Sequence, residues 1–464
     1  MKKKLFIALS IVTLAGISCK KGLDLRPTDT VTEEVVFNSV SALQKGLNTV
    51  YVRYSAGRVS AINANSITSD EVKFGPDNGG TGQFGFRLQY TSAPTNGEVL
   101  AMFTQYYQAI DMANRVLAAL EKISPVDATE TQQRSYIKGQ LLALRAMSHF
   151  ELLEGYAKRY DPADPLGIPI ILQRCIDCEP ARNTMAEVLG QVEADLNEGK
   201  SLMPTTAAAG YNDLALNQIS VTAYQARVAL YKREWQRAAD FATTVINSGI
   251  KPLVSGSAFS GIWTDANTNE ILFRSRFENN ALLGSNWTQA NGSVLFSPSD
   301  KLTASYSAND VRLASYIGTV SGKRVVRKFY QSSRGGSIVD LKGIRTAEMY
   351  LIRAEARAEL NDLAGAAADI NTLRTARITG YTNITYTDKA AAIDDILLER
   401  FKELAFEGFR FYDLKRRGLG LQRNASDVDS PLWQTLAAGN YRFVYPIPQQ
   451  ELLANRKMVQ NPGY

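Results

Sequence analysis

Few residues of this chain could do chemistry, and their spacing excludes more than it supports. There is one histidine, His149, and there are three cysteines, Cys19, Cys175 and Cys178. A single histidine gives no basis for a triad or for His-based acid–base catalysis. His149 stands at helical spacing from Arg145 and Leu152 and reads as a packed helix residue. Cys175 and Cys178 form a CxxC pair, which suits redox chemistry, half of a zinc site, a local disulfide or ordinary thiols. Zinc needs two further ligands, and Pro180 stands where a thioredoxin-like helix would have to begin. No metal site and no cofactor is expected. Gly80, Gly82 and Gly85 match GxGxxG, but a dinucleotide fold needs a strand before the motif and a helix after it. Here the flanks are Asp77-Asn78-Gly79 and an aromatic run.

Paired carboxylates are the remaining route to hydrolysis, and nothing singles out a pair. Glu399, Glu403 and Glu407 recur at spacing four beside aromatics, a pattern that suits structural ion pairs on one helix face. The expectation is no catalytic residue. What is left is binding. Phe74, Asp77, Asn78, Phe84, Trp263, Trp287, Asn291 and Tyr306 lie in irregular segments rich in Gly, Asn and Ser. Sugars present apolar CH faces and rims of hydroxyls, which aromatic platforms and amide or carboxylate side chains complement. These eight are the candidate ligand contacts.

The elements that must position them are mostly helical. Apolar periodicity predicts helices over 31–54, 99–123, 129–160, 185–202, 220–231, 235–247, 344–360, 363–377 and 390–417. Residues 60–94 read as a long irregular segment. Residues 253–343 hold short strand-like pieces, at 270–274 and 323–329. A weak repeat is present: Ala226 and Ala238 are 12 apart, as are Ala354 and Ala366. Trp235 and Leu363 each precede the second alanine by three. Ala242 and Ile370 follow it by four, and Val245 and Leu373 by seven. Small residues at helix crossings with apolar ones beneath suggest tetratricopeptide-type hairpins, with two ordinary helical hairpins as the alternative. From Leu398 to Gly418 the chain reads as one helix, with Gly408 marking close approach of another backbone.

Hydrophobic content is 45% and charged content 21%, ordinary for a globular protein. The formal net charge is +6, but Lys2, Lys3 and Lys4 contribute to it, and no basic block interleaved with aromatics points to nucleic acid. Residues 1–18 have a basic start and a short apolar run, as in a secretory leader. Ala15, Gly16 and Ser18 before Cys19 resemble the cleavage box of bacterial lipoproteins, so lipid at Cys19 is the expected membrane attachment; ordinary signal cleavage without lipid and an uncleaved short anchor are the alternatives. A tether follows over 19–30, then a helical region over 31–252 and a second region over 253–464 packed on the same scaffold.

Four stretches together resemble the SusD/RagB family over essentially the whole chain. They are Cys19–Pro27; Arg145–Phe150 with Tyr156 and Gly167–Ile170; Leu398–Gly418; and Tyr445–Glu451 with Asn455 and Gln460–Tyr464. The third is similar to the family's ERxxELxFEGxRxxDLxRxG pattern. The resemblance implies a mostly α fold, with four tetratricopeptide-like hairpins as scaffold and an irregular, loop-rich C-terminal portion containing short strands. It implies a non-catalytic outer-membrane lipoprotein facing the cell exterior. Such a protein captures a glycan or oligosaccharide and delivers it to a SusC-like TonB-dependent barrel. A peptide or other nutrient, or a lid with little specificity of its own, are the alternatives. Family ligand residues do not transfer by motif. Arg145, Glu399, Arg400, Glu403, Glu407, Gly408, Arg410, Asp413, Pro446 and Pro448 are expected to be structural. The charged members among 399–413 should join their helix to the scaffold and to the Pro446–Pro448 tail.

Overall fold

The computed structural model describes residues 36–175, 177–205 and 208–464. The leader, Cys19 and the tether lie outside them. The chain builds α1 (Val40–Thr68), β1 (Val72–Phe74), α2 (Gln83–Phe86), α3 (Gly97–Leu120), α4 (Ala128–Tyr156), α5 (Met185–Ser201), α6 (Gln218–Tyr231) and α7 (Trp235–Asn247). It then leaves the helical scaffold for α8 (Gly256–Trp263), β2 (Ile271–Ser275), β3 (Phe296–Pro298), α9 (Asp300–Ala304), α10 (Val311–Tyr316), β4 (Ile317–Val320), β5 (Lys323–Val326) and β6 (Leu341–Arg345). It returns with α11 (Thr346–Glu359), α12 (Leu363–Arg377), α13 (Lys389–Glu403) and α14 (Arg410–Arg417), and closes with β7 (Leu421–Gln422), β8 (Thr435–Leu436) and α15 (Gln449–Ala454).

Four helix pairs form the scaffold: α1 with α3, α4 with α5, α6 with α7, and α11 with α12. Neighbouring pairs pack through α3 on α4 and α7 on α11, so the excursion between α7 and α11 leaves the stack unbroken. The alanine repeat lies at two of the hairpins. Ala226, Ala238, Ala354 and Ala366 are all buried, with Ala242, Ile370, Val245 and Leu373 beneath them. Helix starts are chemically specified. Thr184 with Glu187 and Asn217 with Ser220 make reciprocal capping boxes at α5 and α6.

The strands pair only in antiparallel twos: β1 with β3, β2 with β6, β4 with β5 and β7 with β8. Cys175 and Cys178 are joined in a disulfide, one of the alternatives open from the sequence. One core joins α1 and α3–α7 to α11, α14 and the 443–447 tail. A second surrounds Trp263, Trp287 and Phe406 beneath the excursion. A third lies between α11, α12 and α13.

Two expectations are corrected. Residues 60–68 are not irregular; α1 continues through them to Thr68. Its last turns carry Asn65, Ser66 and Thr68, all buried. A helix enclosed on every side shows no polar face to read. The second is Leu398–Gly418, which is two helices. After α13 the chain turns through Phe406 (φ 65°) and Gly408 (φ 82°) before α14 begins. The close approach expected at Gly408 is present: a Cβ there would stand 3.0 Å from Ile62 Cα.

Candidate functional site

Glu399, Glu403 and Glu407 are all buried, and each is saturated by cations from other elements. Glu399 accepts from Arg312 Nη1 at 2.5 Å and from Arg374 Nε at 2.7 Å. Glu403 accepts from Arg345 and Arg377 at 3.0 Å and from Arg312 at 3.1 Å. Glu407 binds Arg345 and the Lys328 ammonium. Burial alone would push these carboxyls up; the surrounding guanidiniums outweigh it and hold Glu399 at about 2 and Glu403 lower still. Carboxylates so occupied offer neither a general acid nor a free nucleophile.

The remaining structural residues behave similarly. Arg145 grips Asp195 through Nε at 2.7 Å and Nη2 at 2.8 Å. Arg410 grips Asp70 at 2.8 and 2.9 Å. Asp413 takes Arg400 at 3.2 Å and Arg416 at 2.7 Å. The first pair joins α4 to α5, while the others tie α13 to α14 and α14 to the turn that follows α1. The tail is joined differently from expectation: the Phe411 ring stacks on Tyr445 at 5.7 Å and on Phe443 at 5.0 Å, next to Pro446 and Pro448. His149 is buried between the Arg145 carbonyl, 3.0 Å from Nδ1, and the Ile171 N–H, which donates to Nε2 at 3.2 Å. Burial first, then Arg145, lowers its pKa to about 3, so it is a neutral packing residue.

The eight candidate ligand contacts separate by depth. Trp263 is 2% exposed and Trp287 is 0% exposed. Trp263 packs against Tyr316 and under the Lys328 ammonium, and Trp287 against Phe296, Phe329 and Phe406. Neither indole offers a face to solvent, which removes both as platforms; each is a core anchor. Tyr306 is also buried, its hydroxyl donating to the Lys402 carbonyl at 2.7 Å. Asn78 is buried too. Its amide donates to the Thr81 and Leu295 carbonyls, and its oxygen accepts from Gly80 N, so it is spent on a turn.

The others reach the surface. Asp77 takes Lys323 Nζ at 2.8 and 2.9 Å and the Val294 N–H at 2.8 Å, and the Lys323 bond lowers its pKa. Asn291 is exposed at the neighbouring turn. Phe84 is 37% exposed. Phe74 is half-buried at the end of β1, 4.2 Å from the Phe86 ring, with the Arg87 guanidinium 5.9 Å from its own.

Arg87 is the link to residues that the sequence reading missed. It pairs with Asp429 through Nη2 at 2.6 Å and Nε at 3.1 Å. The buried Arg423 donates to both the Phe86 carbonyl, at 2.6 Å, and the Trp433 carbonyl, at 3.1 Å. These bonds clamp the 83–87 and 429–433 segments side by side. The two segments carry the exposed Phe84, the Arg87–Asp429 pair, the half-buried Trp433 and the exposed Leu432, and the surface they share is termed the shelf. Its signal in sequence was the Ser430-Pro431-Leu432-Trp433 turn, an apolar pair following a proline in a loop. The shelf combines ring faces with a guanidinium–carboxylate pair, which is equipment for binding hydroxylated rings.

Comparison with known proteins fits both the scaffold and its irregular second half. Residues 275–464 match the model described as the SusD family, and residues 23–230 match a SusD-like model described as "Starch-binding associating with outer membrane". The chain belongs to the SusD family. Its relatives include SusD-like protein P2 of Formosa agariphila, 24% identical with both chains covered in full. Among solved structures, a putative sugar binding protein from Bacteroides vulgatus is 25% identical, with a TM-score of 0.79 over 92% of this chain and 99% of that one. A laminarin binding SusD-like protein shares the fold at 21% identity, with a TM-score of 0.69 over 91% and 99%. The four-hairpin stack and the excursion after α7 are therefore features of a SusD-family fold.

Proposed function

We propose that this chain is a non-catalytic outer-membrane binding protein, lipid-anchored through Cys19 and facing the cell exterior. It holds a saccharide on the Phe84–Trp433 shelf and passes it to a SusC-like TonB-dependent barrel. The shelf carries the reading: ring faces and an ion pair presented together on segments clamped by Arg423. Stacked sugar CH faces would meet Phe84 and Trp433, while Arg87 and Asp429 would exchange hydrogen bonds with ring hydroxyls. The description of one matching family model as starch-binding, and the laminarin binding relative, support a glycan. That same description supports the outer membrane. The saturated glutamates support binding without turnover.

Calorimetry and affinity electrophoresis against laminarin, starch and a panel of neutral glycans test the reading. At least one glycan should bind, and Phe84→Ala or Trp433→Ala should weaken it about tenfold, roughly 1.4 kcal/mol, without moving the unfolding midpoint. Failure of every glycan to bind overturns the proposal.

A further inference from the structure

A second cleft, of about 870 Å³, lies between the turn after α4, the α6–α7 turn and the chain around 438–444. Ligand sites commonly run from roughly 300 to 1,000 Å³. Lys158, Arg159, Tyr160, Arg233, Gly418 and Tyr441 are among the residues lining it. Its charge is not balanced from within. Nearby arginines are committed: Arg416 to Glu355 and Asp413, and Arg417 to Glu355 and Glu359. Two carboxylates also line the cleft, but Asp161 accepts from the Ala163 N–H at 3.0 Å and Asp164 from the Leu166 N–H at 2.9 Å, within their own turns. Lys158 stands 3.8 Å from Asp164. A smaller polar cleft around Asp265 and Arg334 differs in that its charges neutralise one another.

Arg159 and Arg233 are the unbalanced pair. Among the described residues, Arg159 has no hydrogen-bond or ion-pair partner. It extends over Gly418, where a Cβ would stand 2.7 Å from its Nη1, so a side chain at 418 would displace the guanidinium. Arg233 sits at φ 60° in the α6–α7 turn and donates from Nη2 to the Arg416 carbonyl at 3.2 Å. Partial burial, then Arg159, Arg417 and Arg416, make its charged form less favourable than usual. Glu359 also acts on Arg233, but it is held by Arg417 and Lys389. Neighbouring guanidiniums with no carboxylate bonded to either favour an oxyanion that can take paired N–H donors. The half-buried Tyr160 and the part-exposed Tyr441 supply ring faces beside them.

We propose that this cleft binds the acidic group, a carboxylate or a sulfate ester, of an anionic saccharide, at a site distinct from the shelf. Only the choice of a saccharide as carrier rests on the reading of the shelf.

Calorimetry on the full chain in detergent tests it with two matched pairs. An oligogalacturonate against its neutral methyl ester asks for the carboxylate. A sulfated laminari-oligosaccharide against the unsulfated one asks for the sulfate. At least one acidic member should bind about tenfold or more tightly than its neutral analogue. Arg159→Gln combined with Arg233→Gln, both exposed positions, should remove that advantage, while Trp433→Ala leaves it. The proposal is overturned if neither acidic probe binds, if the neutral analogues bind as well, or if the double variant retains the preference. Loss of neutral-glycan binding in Trp433→Ala reports on the shelf alone, so failure of either site is distinguishable from failure of the other.

Discussion

Arg345 and Glu407 face each other in a two-point ion pair, Nε to Oε2 at 3.0 Å and Nη2 to Oε1 at 2.7 Å. Arg345 ends β6 and Glu407 lies in the turn between α13 and α14, so the pair fastens the end of the excursion to the turn that reverses the chain onto α1. Both side chains are buried, and Lys328 from the other side of the excursion adds a third member at 2.7 Å. A fork of this kind fixes geometry as well as charge.

Glu407→Ala should therefore destabilise the fold by about 3 kcal/mol or more, because it leaves Lys328 and part of Arg345 buried without their counter-charge. Urea unfolding measures the loss. Ligand affinity of the folded fraction should not change, since the shelf draws no residue from this turn. An unchanged unfolding midpoint would show that the network contributes no net stability.

The acidic limb of stability should come from Glu399 and Asp70. Burial opposes their ionisation, but Arg312, Lys402 and Arg374 around Glu399, and Arg410 and Lys301 around Asp70, hold both carboxyls at about 2. The unfolded chain takes up protons first as pH falls, so their contribution is complete above pH 4.5 and is lost as pH drops toward 2. Glu71 has the opposite sign. Burial raises its carboxyl to about 8, despite the bond from the Phe406 N–H at 3.0 Å. The folded state keeps its proton longer than the unfolded state, so stability is lost as pH rises from 4.5 toward 8. Glu71→Gln is neutral in both states. Thermal unfolding at pH 5 and pH 8 should show a smaller drop in Tm for the variant than for the parent; equal drops would place the Glu71 proton elsewhere.

Gly408→Ala tests the turn itself. The left-handed φ of 82° costs a residue bearing a Cβ about 1–2 kcal/mol. The added carbon would also meet the α1 backbone, 3.0 Å from Ile62 Cα and 3.4 Å from Ile62 N. Together these predict a loss of about 2–3 kcal/mol, read as a lower urea midpoint. A midpoint within error of the parent would mean that α1 and the turn can move apart at little cost.

Residue chemistry explains which parts of this protein were readable. The α6–α7 and α11–α12 hairpins announce themselves because Ala226, Ala238, Ala354 and Ala366 mark crossings where only small side chains fit. The end of α1 is hidden because Asn65, Ser66 and Thr68 are polar but buried, paired or packed by elements hundreds of residues away, such as Tyr445 on Thr68. The break at 404–409 is hidden because Leu404, Ala405 and Phe406 continue the apolar pattern of α13, although Leu404 stays in the α13 core while Ala405 and Phe406 turn into a different one. The shelf was half legible. Phe84 sits in a loop rich in glycine and asparagine, but its neighbour Trp433 arrives from more than three hundred residues downstream through Arg423, a contact with no local signature.

The two buried tryptophans make the sharpest contrast with the shelf. Trp287 is enclosed by Phe296, Phe329 and Phe406, so Trp287→Ala should cost about 3–5 kcal/mol through lost contacts and a cavity. Its indole N–H is buried with no hydrogen-bond partner among the described residues, and the same holds for Trp263. That donor is itself a cost of order 1–3 kcal/mol in the parent. Trp287→Phe removes the unsatisfied donor along with part of the ring, and should therefore be markedly milder than Trp287→Ala. Chemical unfolding of the two variants measures the difference. Glycan titration of the folded Trp287→Phe protein should match the parent, where Trp433→Ala falls about tenfold. Equal loss of binding in Trp287→Phe and Trp433→Ala would instead mean that the ligand reaches the core beneath β3, and that the shelf is not where it is held.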